Sequence, residues 1–341
     1  MEQLNNALTL FFSLLVEAMP FLLLGVLFSS ALLLFVDERK LVAAIPRNAV
    51  LAAIAGSLIG FLFPVCECGN VPVARRLMIQ GAPTSMAVGF LLAAPTVNPI
   101  VFWATWTAFR DQPEIVFMRI GFSLLIAVII GCIFSTQTDI RPLLQPNVAR
   151  SIMPGMTPIR GGTSREAVAS PLLQSGTFML GTPGQQPMRM DSGMAIAATA
   201  PITRPWGDRF QLMLDNVVLE LRELGGVLIL GSAIAAIVQV AIPREVILSL
   251  GQGPVTSILA MMLLAWVVSI CSTVDAFFAL AFASTFTSGA LLAFLIFGPM
   301  IDLKNISLLL TVFRGRAILY LFLLAAQLTF AITLAVNLYW V

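Results

Sequence analysis

Read along the chain, hydrophobic residues gather into long stretches separated by short polar or proline-rich breaks. The stretches are Leu8–Phe35, Val50–Val65, Met86–Phe109 and Ile115–Phe134, then Leu224–Ile242, Val255–Ile270, Ala276–Ile301 and Ala317–Val336. A helix needs about 17–25 apolar residues to cross the hydrocarbon core of a bilayer. The pattern therefore predicts an all-α integral membrane protein with about eight crossings. Val71–Gln80 and Thr84–Phe109 each read equally well as a short helix entering and leaving on one side, which would raise the total to ten. That ambiguity leaves open whether the halves repeat in parallel or inverted orientation, since an odd number of crossings per half inverts the second copy.

The breaks carry a second pattern. Phe63-Pro64-Val65-Cys66-Glu67-Cys68-Gly69-Asn70-Val71-Pro72 in the first half is echoed by Ser269-Ile270-Cys271-Ser272-Thr273-Val274-Asp275 in the second. Cys66 matches Cys271, Asn70 matches Asp275, Pro95 matches Pro299 and Asn98 matches Asp302, all at an offset of about 205 residues, as a duplicated unit requires. Glu17 and Gly25 recur as Glu223 and Gly231. The expected organisation is a first membrane repeat over 1–136, a linker over 137–206 and a second repeat over 207–341. The linker is rich in Pro, Gly, Ser, Thr, Met and Gln without sustained apolar period, which predicts a largely disordered tether. Broken helices at matching depths of two apolar halves point to a transport site between the repeats.

Composition narrows the function. Hydrophobic residues make up 59% of the chain and charged residues 11%, less than half the charge fraction of about 25% in soluble domains. The net charge of +2 offers nothing to nucleic acid. The opening Met1-Glu2-Gln3-Leu4-Asn5-Asn6 lacks the positive region of a signal peptide, so the first apolar stretch reads as a retained span. Histidine is absent, which removes His-based zinc sites, haem ligation by His and His-driven acid–base catalysis. There is no P-loop, G-x-S-x-G or H-E-x-x-H, so neither ATP-driven transport within this chain nor these familiar hydrolytic chemistries are expected. No cofactor is expected and no metal is assigned.

The prolines and glycine around Cys66-Glu67-Cys68-Gly69 rule out one straight helix there. Non-helical backbone at membrane depth is tolerated only against protein or a water-filled cavity. Two thiols and a carboxylate on such a break form a natural solute lining, because thiols favour soft cations and metalloids. The competing reading is that Cys66 and Cys68 merely pack, as Cys132 is expected to do. Carboxylates within apolar segments are costly and usually mark ion or proton pathways. Glu17 and Asp275 are the clearest cases, whereas Glu220, Glu223 and Asp302 read equally well as interfacial residues. In Pro95-Thr96-Val97-Asn98-Pro99 the prolines leave carbonyls free to bind a solute. The expected binding set is Cys66, Glu67, Cys68, Asn70, Asn98, Cys271, Asp275 and Asp302, with Glu17 and Glu223 coupling an ion. Arg75 and Arg76 would neutralise Glu67, attract an anion, or anchor at the interface.

Phe63 through Arg76, with Gly81-Ala82-Pro83, Leu91 through Pro99 and Cys271-Ser272-Thr273-Val274-Asp275-Ala276-Phe277, resembles the bacterial predicted-permease family that includes ArsP-type organoarsenical efflux permeases. The resemblance covers both membrane halves and implies a multi-span permease of the bacterial inner membrane. In the characterised branch the substrate is a trivalent organoarsenical moved outward, so efflux of a thiophilic metalloid or metal compound is the finer implication. Two other classes compete with a secondary transporter. One is a membrane thiol/disulfide redox protein using Cys66, Cys68 and Cys271; the other is a membrane subunit working with a soluble or lipoprotein partner, or as a homo-oligomer.

Overall fold

The computed structural model describes residues 2–35, 46, 48–62, 67–136, 143–145, 148, 206–241, 253–283 and 285–339. Among these the regular elements are all helices. In the first half they are α1 (Glu2–Phe35), α2 (Ala49–Leu62), α3 (Glu67–Ile79), α4 (Thr84–Val97), α5 (Pro99–Ala108) and α6 (Pro113–Ser135). In the second half they are α7 (Trp206–Ala241), α8 (Pro254–Val268), α9 (Asp275–Leu280), α10 (Ser288–Met300), α11 (Leu303–Leu309) and α12 (Gly315–Tyr339).

Among the described residues six stretches are long and apolar enough to cross a membrane: Asn5–Ala31, Thr84–Ala108, Pro113–Ser135, Met213–Val240, Ser288–Leu309 and Gly315–Tyr339. The apolar α2 and α8 are shorter. The expected single segment Ala276–Ile301 is instead two helices, α9 and α10, separated by irregular backbone. Likewise Met86–Phe109 divides at Asn98 into α4 and α5. The breaks, Ser284-Thr285-Phe286-Thr287 and Asn98-Pro99, are short and uncharged and lie between strongly apolar runs, so hydropathy averaged over a span passes over them.

The core is built around α4 and α10, which pack on each other and are buried along their whole length. α4 is flanked by α2 and α6, and α10 by α8 and α12. Around this core α1 packs on α7, α3 on α11, and α5 on α9. Glycines set the closest crossings. A β-carbon on Gly25 of α1 would overlap the backbone of Gly69 in α3, and one on Gly231 of α7 would press on Ser307 and the Lys304 carbonyl. Helices approach this closely in membranes through small residues.

Most lipid-facing positions are apolar, among them Phe12, Val16, Leu58, Trp103, Phe117, Val218, Leu230 and Ile237. In contrast α3 is strongly polar and yet almost wholly buried. Within the linker, Leu144 bridges Phe313, Gln145 donates its backbone N–H to the Val312 carbonyl, and the Arg314 N–H donates to Leu143. This short segment is therefore fastened to the turn between α11 and α12; most of the linker lies outside the described residues.

Candidate functional site

Each short helix begins at a break and places a polar residue at its N-terminus. Asn98 caps α5, its Oδ1 accepting the Val101 N–H at 2.9 Å while its Nδ2 donates to the Ala94 carbonyl at 3.1 Å. Asp302 caps α11, its Oδ1 accepting the Asn305 N–H at 2.6 Å. Side-chain acceptors at this position satisfy backbone donors that no helical carbonyl can reach. Glu67 and Asp275 are the first residues of α3 and α9, where the helix dipole favours a negative charge.

Pro95 sits inside α4 and has no N–H, so the Leu91 carbonyl lacks its helical donor. Asn70 of α3 supplies one instead, its Nδ2 donating to Leu91 at 2.6 Å. The residue type and the proline are thus linked across two elements.

Two ion pairs with both partners fully buried join the halves. Arg119 of α6 grips Asp275 with Nη2 to Oδ2 at 2.6 Å and Nη1 to Oδ1 at 3.1 Å, and Nη1 also donates to the Thr105 hydroxyl at 2.8 Å. Lys304 of α11 approaches Glu67, Nζ to Oε1, at 3.3 Å. All four charged side chains are at most 2% exposed. Lys304 also donates to the Ser269 carbonyl at 3.4 Å. Ser269 ends α8 in the left-handed conformation (φ 47°), which turns the chain towards α11, and its hydroxyl accepts the Leu303 N–H at 3.2 Å.

Cys68, Cys271 and Asp302 lie in the electrostatic neighbourhood of the Lys304 ammonium together with Glu67. Glu17 of α1, half-buried, lies in the electrostatic neighbourhood of Lys304 and Glu67 and near the Cys271 backbone. Glu67, Cys68, Cys271, Asp302 and Glu17 therefore gather around one lysine, while Asp275 is also in reach of Glu67. Cys66 lies outside the described residues. Asn98 stands at the α4–α5 junction as a cap. Cys132 is a partly buried thiol on α6. Among the described residues no group of three or more Cys, Asp or Glu is arranged to hold a metal ion.

Several expectations change. Arg75 does not neutralise Glu67: it pairs with Glu223 at 3.2 Å, because α3 carries it two turns away towards α7. Glu223 is half-exposed at that contact. Asp302, read equally well as interfacial, is 1% exposed. Beside the Arg75 pair, Glu220 accepts from Ser29 at 3.4 Å and from Asn216 at 3.3 Å, and Asn216 also donates to Ser30 at 2.9 Å, forming a polar seam between α1 and α7. Arg119 and Lys304, the cations of the two fully buried inter-half pairs, were missed as site residues, although Arg119 is a charge in the second turn of an apolar span and Lys304 follows Asp302 closely. Such placement is itself a signal for function.

Two cavities lie away from the lysine cluster. One of about 560 Å³ opens between α5 and α9 beside Trp103, Thr273 and Phe277; another of about 260 Å³ lies by Asp111, Glu114 and Ser288. Glu67, Cys68, Asp302 and Lys304 are each about 1% exposed, so the cluster is closed to bulk water in this conformation.

No solved structure matches the chain. Two proteins of named organisms do. The UPF0718 protein YcgR of Bacillus subtilis is 38% identical over 319 residues, covering 94% of this chain and 92% of that protein. A Streptococcus mutans protein, provisionally named a two-component membrane permease complex subunit, is 30% identical over 314 residues, covering 92% of this chain and 89% of its own. The model of the ArsP-type family, described as predicted permease, matches residues 3–338. With its apolar helices and its buried charges between two halves, the chain is a multi-pass membrane protein and belongs to the predicted-permease family.

Proposed function

We propose that this permease is a secondary transporter of the bacterial inner membrane, moving a small solute along the buried junction of two repeated halves. The observation that carries this reading is the lysine cluster. Charged and polar groups from both halves meet there at the ends of broken helices, and several are without a hydrogen bond: Glu67 Oε2, Asn70 Oδ1, Asp302 Oδ2 and both polar atoms of Asn305, while Glu67 Oε1 has only its 3.3 Å ion-pair contact with Lys304. Unpaired buried groups are expensive, and a transported solute or ion would supply what they lack. The reciprocal packing of α3 on α11 and α5 on α9 supports a pseudo-twofold relation between the repeats. The free thiols of Cys68 and Cys271, one from each half, support a thiophilic solute, and outward movement of an organoarsenical is the specific form proposed.

The test is accumulation of a trivalent organoarsenical in cells with and without the chain. Efflux predicts lower accumulation in carrier cells, restored to control by Cys68→Ser/Cys271→Ser. Equal accumulation with and without the chain overturns the arsenical reading. Glu67→Gln should abolish transport of any solute that depends on the chain; a variant with full transport would remove the cluster from the path.

A second reading adds a partner, because the Streptococcus mutans relative is named as one subunit of a two-component complex. Affinity purification of the tagged chain from its native membrane should then bring down one other protein in a fixed ratio; a homogeneous single-chain preparation with full transport counts against it.

A further inference from the structure

The two fully buried inter-half ion pairs are unequally satisfied. Asp275 receives two guanidinium donors, and Arg119 also reaches Thr105. Lys304 meets Glu67 through one 3.3 Å contact, and neither Glu67 oxygen accepts a hydrogen bond. Asp302, 1% exposed, uses only Oδ1 as the cap of α11, leaving Oδ2 without a donor. Asn305, on the same turn and fully buried, has both amide atoms unpartnered. The first pair is a closed contact, whereas the second stands among buried polar atoms that lack hydrogen-bond partners.

The charges are also out of balance. Glu67 and Asp302 face the single cation Lys304, and water does not reach them. The other titratable groups around them do not supply a second cation: Cys68 comes from α3, Cys271 from the loop after α8, and Glu17 from α1 adds another carboxylate. α7 meets α11 at Gly231. An unmatched buried charge is far more costly than a paired one, and a carboxylate so placed is neutralised most simply by taking a proton.

Building on the transport reading, we infer that Asp302 binds the coupling proton, held on Oδ2 within the inter-half junction. Glu67 is the poorer acceptor, since it touches the ammonium and begins a 13-residue helix whose dipole favours its anion. On Asp302, Oδ1 keeps accepting the Asn305 N–H while Oδ2–H becomes a donor beside acceptors that have none, such as the Glu67 carboxylate. With the proton bound, Glu67 and Lys304 cancel and the junction can close. When the proton leaves to water, one ammonium faces two carboxylates, and the closed form is penalised until the site opens. Solute movement and proton release would share that opening.

The test uses the full chain in lipid nanodiscs, without solute, and infrared difference spectra between acid and alkaline buffer. The wild type should show a carbonyl band from a protonated carboxyl that shifts when aspartate is labelled with carbon-13 and persists in Glu17→Gln and Glu223→Gln, but weakens in Glu67→Gln, where Asp302 is left as the counterion of Lys304. Asp302→Asn should lose it; asparagine can still cap α11, as Asn98 caps α5. Lys304→Gln should enlarge the band about twofold, because both carboxylates then need protons. The labelled wild type keeps the proposal falsifiable should Asp302→Asn fail to fold. A band that survives Asp302→Asn, does not shift with labelled aspartate, or is absent from the wild type overturns the inference. An intact band in a chain that moves no solute would instead count against the transport reading alone.

Discussion

Asn70 and Leu91 are joined by a 2.6 Å hydrogen bond from the Asn70 side chain to the Leu91 carbonyl, the acceptor that Pro95 leaves without a helical donor. Loss of either side of such a buried bond costs about 1–3 kcal/mol. Asn70→Ala should therefore lower the thermal stability of the purified chain by that amount. In a Pro95→Ala background, where residue 95 can donate to Leu91 itself, the same substitution should cost much less. Equal losses in both backgrounds would show that the proline and the asparagine are not coupled.

Arg119 and Asp275 provide a sharper contrast between single and paired changes. Arg119→Leu or Asp275→Leu alone strands a charge that is at most 2% exposed, and breaking a buried pair this way costs about 3–5 kcal/mol. The double variant removes both charges and should recover most of the loss. Folded yield in detergent and midpoint of thermal unfolding check this; a double variant as poor as the singles would sink it.

Gly25 and Gly225 should respond oppositely to a methyl group. At Gly25 the added carbon meets the backbone of Gly69, which cannot move aside as a flexible side chain would, so Gly25→Ala should cost at least about 1–3 kcal/mol through overpacking. At Gly225, within α7, nothing lies within 4 Å. Gly225→Ala should be neutral or raise the unfolding temperature, because alanine is the better helix former. Comparable melting curves for the two variants would contradict the close α1–α3 crossing.

The sequence made the class of fold legible and several site residues with it. Long apolar stretches separated by prolines announce membrane helices broken in their middle, and the positions of Glu67, Asn70, Asn98, Asp275 and Asp302 followed from their places at those breaks. What it did not display was partnership. Glu67 has two nearby arginines in sequence, Arg75 and Arg76, but its cation is Lys304, because α3 points its arginines towards α7. Similarly, Arg119 looks like an end-of-span charge until α6 is seen to carry it against the start of α9. Such pairings depend on how helices distant in sequence cross, and no local pattern records that. The division of Ala276–Ile301 was hidden for a different reason: the break holds only uncharged Ser284, Thr285 and Thr287 among apolar neighbours, and hydropathy averaged over a span smooths it away.

The two fully buried cross-half ion pairs also impose an order on biogenesis. A ribosome releases the first half with Glu67 at the start of α3 and Arg119 in the apolar α6, while their counterions, Lys304 and Asp275, are still to be synthesised. An intramembrane charge without its partner is poorly tolerated by lipid. Until residue 304 emerges, the nascent chain must keep those side chains with the insertion machinery, with water, or at the bilayer edge. Integration of this permease is therefore completed late, and a truncated product ending before α11 would carry an unmatched charge that membrane quality control can recognise.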